Sequence, residues 1–157
     1  MSDSRIVQLL DAEHAEGLRA LCEEPDVAAV VGLNTGISLE AANEYITMAN
    51  AAQEAGRAYI FVLTQAGTLM GVCRLIGVLG VPRLIVAVGH AWRGQGNGAI
   101  LVRHVLKFAF ETLGLDRVTA TGACLRLVSQ QGRIDGNVLS RDEWRVAQGD
   151  SPQPQPT

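Results

Sequence analysis

One short run of this sequence is suited to holding negative charge. After the apolar stretch Leu84-Ile85-Val86-Ala87-Val88, glycines recur at alternate positions in Arg93-Gly94-Gln95-Gly96-Asn97-Gly98. Directly behind them Ile100, Leu101, Val105, Leu106, Ala109, Phe110 and Leu113 form an apolar stripe at helical spacing. Glycine has no Cβ, so its backbone N–H can approach a ligand closely. A helix starting there adds unpaired amide donors and a partial positive charge, which together suit a pyrophosphate. The Arg93 guanidinium can strengthen that field. A mere strand-to-helix joint is the plainer reading, but it would need one glycine, and each additional one costs conformational entropy. Gly94-x-Gly96-x-x-Ala99 also satisfies the dinucleotide fingerprint. That fingerprint calls for an acidic residue at the end of the next strand, whereas Asp116 precedes it. Too little chain follows to complete a doubly wound sheet.

The elements around the turn read as mixed α/β. Arg5 to Leu10 is a first strand. Asp11 can cap a helix through about Cys22, which Pro25 and Asp26 interrupt. Ser38 can cap a second helix from Leu39 to about Ala55, with Gly56 past its end. Ala58 to Thr64, Leu69 to Leu79 and Leu84 to Val88 are three consecutive strands joined by turns at Ala66-Gly67-Thr68 and Val81-Pro82-Arg83. After the helix that Gly114 ends, Arg117 to Thr121 is a fifth strand and Leu125 to Gln131 a short helix. Asn137 to Val146 fits either element type. The order predicts an antiparallel meander running into one right-handed parallel crossover.

Length, at 157 residues, predicts a single domain over residues 1–148, ending in a disordered Pro-rich tail over 149–157. The 48% hydrophobic content and net charge of −3 fit a globular chain. Lys and Arg are scattered without interleaved aromatics, so no nucleic-acid partner is expected. No apolar run reaches the ~20 residues a membrane span needs, and the N-terminus lacks a signal-peptide order. Cys22, Cys73 and Cys124 lie far apart with no Cys-x-x-Cys pair, which argues against disulfides and metal and makes the cytoplasm the expected compartment.

Arg93 to Gly98 matches the R/Q-x-x-G-x-G/A signature of the GNAT superfamily of N-acetyltransferases. The wider context resembles the branch with the ribosomal-protein alanine acetyltransferases. Leu69-Met70-Gly71 is similar to its third-strand motif, Phe108 to Val118 to its helix and fifth strand, and Arg141-Asp142-Glu143-Trp144 to its terminal R-x-E-W. The resemblance spans about Ile6 to Trp144 and is specific only over Trp92 to Val118. It implies a GNAT-like, mostly antiparallel twisted sheet and acetyl-CoA as co-substrate. Pyrophosphate would rest on the amides of Gly94, Gln95, Gly96, Asn97, Gly98 and Ala99, and pantetheine would run along Val86, Ala87 and Val88. It also implies acetyl transfer to a primary amine, either a peptide N-terminus or a small metabolite. The C-terminal half departs from the pattern. Thr121-x-x-Cys124-x-Arg126 stands where the branch has Asn-x-x-Ser-x-Arg, and the chain there is abridged. A homodimer covering an open sheet edge, or a compromised acceptor pocket, would follow.

Direct transfer from thioester to amine needs a base for the ammonium proton and a donor for the developing oxyanion. A backbone amide near Val88 suits the second task. For the first, His90 follows the strand and has the side chain best matched to neutral pH. Cys124 takes the place of the branch's Ser and is the candidate acid for the departing thiolate. Both also read as ordinary residues, His90 in an exposed loop and Cys124 as a small buried side chain. Glu40 and Glu44 read as a solvated helix face or the edge of an acceptor cleft, and Trp92, His14 and His104 as packing or surface residues. The missing base supports a rival reading, a non-catalytic acyl-CoA-binding or scaffolding protein.

Overall fold

A meander of four antiparallel strands forms most of one sheet: β1 (Arg5–Leu9), β2 (Tyr59–Gln65), β3 (Thr68–Ile76) and β4 (Arg83–Val88). The computed structural model describes residues 4–149. The chain leaves β4 through helix α4 (Asn97–Lys107), returns as β5 (Arg117–Thr119) parallel to β4, and adds β6 (Val138–Ser140) antiparallel to β5. The six strands follow one another across the sheet in chain order, with β1 and β6 at its edges. The mostly antiparallel sheet with a single parallel crossover is the architecture the sequence predicts.

Helices cover both faces, which explains why Ile60 to Leu63 read as a continuous apolar run rather than an alternating one. Phe61, Leu63, Cys73 and Leu75 face α4, with Leu101, Val105 and Phe110. Ile60, Val62 and Val72 face α1 (Ala15–Leu21), α2 (Pro25–Val31) and α3 (Leu39–Glu54). Ala66 and Gly67 both take positive φ in the β2–β3 turn, the geometry that matches hairpin twist.

Several boundaries differ from the sequence expectation. Pro25 starts α2 rather than ending a helix: it sits in the first turn, where its missing N–H costs nothing, and Gly32 closes the element at φ +87°. Asp11 caps a short 3-10 turn (Ala12–His14) leading into α1. His14 is buried there, its Nδ1 accepting from the Asp11 amide at 2.9 Å. β3 stops at Ile76, three residues early, because Gly77 turns at φ +67°. The helix expected from Leu125 starts earlier, as α5 (Gly122–Ser129). The ambiguous stretch resolves into β6 and α6 (Arg141–Ala147), with the Ser140 hydroxyl accepting from the Glu143 amide at 3.1 Å. α4 ends in a π-helical turn (Phe108–Thr112) before Gly114. Of the expected tail, all but Gly149 lies outside the described residues.

Candidate functional site

β4 and β5 separate almost as soon as they meet. Their register consists of Arg83 opposite Thr119, reinforced by Thr119 N–H and Oγ1 donating to the Pro82 carbonyl at 2.8 and 2.9 Å. Beyond that pair β4 continues to Val88 while the chain after β5 turns away into α5. A gap thus opens beside the second half of β4. Backbone groups alternate sides along a strand. Gly89 N–H donates to the Met70 carbonyl on the β3 side at 2.8 Å, so the groups of Val88 and Val86 face the gap.

The glycine turn stands at the head of this gap. Gly94 and Gly96 have φ of +73° and +81°, which a side chain would oppose. Gly98 serves a different purpose. A Cβ there would lie 3.0 Å from Leu127 Cδ1 of α5, so its absence lets α4 pack closely on its neighbour. The N–H groups of Gly94 to Ala99 find no acceptor among the described residues; the next amide, Ile100, donates to the Gly96 carbonyl at 3.1 Å. These are the orphan donors of a helix start, gathered on one exposed turn. Asn97 is the buried pin beneath them: its Nδ2 donates to the Trp92 carbonyl at 2.9 Å.

Arg5 pins the turn from outside, a role that no local pattern around it signals. Its Nη1 donates to Asn97 Oδ1 at 2.8 Å and to the Gln95 carbonyl at 3.2 Å. Only the sheet brings the start of β1 to the same end as the finish of β4. Arg93, by contrast, does not extend over the amides. Its Nε donates to the Val88 carbonyl at 2.9 Å and its Nη2 pairs with the Asp26 carboxylate of α2. The residue that opens the signature therefore ties β4 to α2.

His90 joins this tie. Its amide donates to Glu24 Oε1 at 2.8 Å, and its Nε2 lies 3.2 Å from Asp26 and 3.4 Å from Glu24. The hydrogen bond from Arg93 pushes the Asp26 carboxyl down to about 2 against desolvation, with a smaller contribution in the same direction from His90. The donor atoms of Glu24, Asp26 and His90 lie within 4.8 Å of one another. The adjacent Arg93 already supplies the balancing cation.

Cys124 is buried on α5 and sits against the Val86 amide in the gap. Burial pushes its thiol up to about 12, only partly offset by that amide. Proton transfer from such a thiol to an ordinary thiolate, of pKa about 8.5, is uphill by several powers of ten. The structure thus weighs against Cys124 as an acid. His90 and Cys124 are not brought together: one is exposed above the end of β4, the other buried beside its middle. Trp92 packs between the two apolar clusters, and Glu40 and Glu44 are exposed on α3.

A sheet split between β4 and β5, with a glycine turn and helix start at its head, defines the class of protein. The sequence matches the family model of the acetyltransferase (GNAT) domain over residues 5–124, and the chain belongs to that family. Its activity is acetyl transfer, with acetyl-CoA as co-substrate. Among similar solved structures are the ribosomal-protein-S5-alanine acetyltransferase of Vibrio fischeri and spermidine N-acetyltransferase of Vibrio cholerae in complex with CoA and spermine. The first is 12% identical, with TM-score 0.63, and the match covers 74% of this chain and 69% of that one. The second is 16% identical, with TM-score 0.59, and covers the same shares. A GNAT-family acetyltransferase of Streptococcus pneumoniae is 14% identical at TM-score 0.61, covering 85% of this chain and 87% of that one. At such identities these likenesses concern the fold. No curated protein matches the sequence. No helix among the described residues is long and apolar enough to cross a membrane.

Proposed function

We propose that this chain transfers an acetyl group directly from acetyl-CoA to a primary amine, on a peptide N-terminus or a small metabolite. The observation that carries the reading is the set of unpartnered amides from Gly94 to Ala99 at a helix start. They offer a diphosphate convergent donors without competing acceptors. Val86, Ala87 and Val88 line the route of the pantetheine arm, with the Val88 N–H facing the gap as the donor for the developing oxyanion. The Val88 carbonyl is already engaged by Arg93, so pairing there requires Arg93 to yield it.

His90 is the base in this scheme. It stands just past β4, with its Nε2 3.2 Å from Asp26 and 3.4 Å from Glu24, so both carboxylates fix the ring's position. The names of the similar proteins agree with the acceptor class, since one acts on a ribosomal protein and another on spermidine. A homodimer would cover the sheet edge at β1, and the buried, unpaired cysteines fit the cytoplasm. The reading is tested by release of free CoA thiol when acetyl-CoA and a broad amine panel meet the protein. Turnover with any amine supports it.

A second reading rests on two observations: Arg93 occupies the Val88 carbonyl, and Cys124 is a poor acid. These suit a protein that binds acyl-CoA without turning it over. Calorimetric binding of acetyl-CoA with no thiol release across the panel would favour that alternative.

A further inference from the structure

The gap beside β4 is not the only opening in the molecule. A cavity of about 150 Å³ lies on the opposite face of the sheet from α4, beneath α3. Its roof is a helical stripe, Tyr45, Met48, Ala49 and Ala52, and its floor comes from β2, β3 and the residue before β2. The alanines leave the space, and Met48, 72% exposed, stands at the rim. Among these apolar walls is one charge, Arg74, in register with Ile60 across the strands.

Arg74 is only partly accounted for by the fold. Its Nη1 donates to the Val30 carbonyl at 2.8 Å, in the last turn of α2, where a cation is favoured. The neighbouring Tyr45 hydroxyl donates to the Val31 carbonyl at 2.7 Å and accepts nothing from Arg74. Nε is buried without an acceptor, and Nη2 has no partner among the described residues. No carboxylate lies within 4.0 Å of the guanidinium among the described residues. Arg74 is half-buried, and its Nε is a buried donor with no acceptor, which is costly, while Nη2 is left open towards the cavity.

We propose that this cavity binds a small apolar molecule carrying one carboxylate, with the carboxylate on the Nη2 side of Arg74. The volume, on the order of that which holds a benzene ring, limits the apolar body to about that size. Carboxylate and guanidinium match in geometry as well as in charge. The site is distinct from the glycine turn, since α3 and α4 cover different faces, and it stands whether or not the amine acceptor above is correct.

The probe is 4-methylpentanoate, titrated into the full chain and followed by NMR of the backbone amides. The expected result is saturable shifts at Ala49, Ala52, Ile60 and Ile76, with none at Gly94 to Gly98. The neutral analogue 4-methylpentanamide should bind at least about tenfold more weakly, as the loss of a charged hydrogen bond predicts. Arg74→Gln should weaken the carboxylate to the level of the amide. Ala52→Phe, which keeps Arg74 and fills the cavity, should abolish both. Equal binding of acid and amide, unchanged binding by Ala52→Phe, or no saturable shifts at the cavity would overturn the proposal.

Discussion

Replacing Gly96 by Ala isolates the backbone geometry of the turn. Gly96 sits at φ +81°, and an added Cβ would meet nothing within 4 Å. The substitution therefore introduces conformational strain without a clash. Holding an L-residue in the left-handed region costs about 1–2 kcal/mol. With no neighbour to hold the methyl in place, the free turn can relax and re-aim its amides, and binding a diphosphate must then restore the original φ. The same 1–2 kcal/mol appears as a rise in the acetyl-CoA dissociation constant of roughly 5- to 30-fold. Gly136 provides the control. It lies at φ +64°, also with nothing within 4 Å of a Cβ, in the turn before β6. Gly136→Ala should lose similar stability in urea while acetyl-CoA affinity, by calorimetry, stays at the wild-type value. Equal affinities for the Gly96 variant and wild type would refute the reasoning, because the turn's conformation would then be irrelevant to the coenzyme.

Three further outcomes are expected. His90→Gln should lower kcat by about 10²-fold or more, the usual worth of a general base, with the KM for acetyl-CoA little changed, whereas Cys124→Ala should stay within a few-fold of wild type. Asp26 has a folded pKa of about 2, below the unfolded carboxylate value of about 3.9. Its contact with Arg93 and His90 therefore contributes above roughly pH 5 and fades as pH falls towards 2. Urea titrations of Asp26→Asn should show a deficit under about 1 kcal/mol at pH 6, because the groups are about half exposed, vanishing at pH 2. Burial pushes the Cys22 thiol up to about 11 and Cys124 up to about 12, and holds Cys73 well above the ordinary range. Ellman's reagent at pH 8 should leave all three unmodified in the native protein and label them in guanidinium; rapid native labelling of any one would contradict its burial.

What could be read from the chain divides along physical lines. The strand, glycine turn and helix were legible because each depends on local rules: apolar spacing, φ preference and unpaired helix donors. The first helix break was misread because proline stops a helix in its interior yet starts one in its first turn, and only Gly32 downstream distinguishes the two. The Ser140-x-x-Glu143 spacing before α6 was a cap signal within reach. Arg5, the Arg93–Asp26 tie and the Arg74 cavity were not legible. Each joins residues that are distant in sequence, and only the sheet register and the position of α2 bring them together. Arg93 looked like a phosphate ligand by type and position, but a side chain that long is directed by whichever acceptors lie nearest, here the Val88 carbonyl and Asp26.

The most direct measurement of the central claim is a titration of isotope-labelled protein with acetyl-CoA, followed at the backbone amides. The account predicts that the largest shifts fall on Gly94 through Ala99, with a second group at Val86 and Val88, and that 3′-phosphoadenosine 5′-diphosphate, which carries the diphosphate without pantetheine, reproduces only the first. Binding that leaves the Gly94–Ala99 amides unmoved would contradict it.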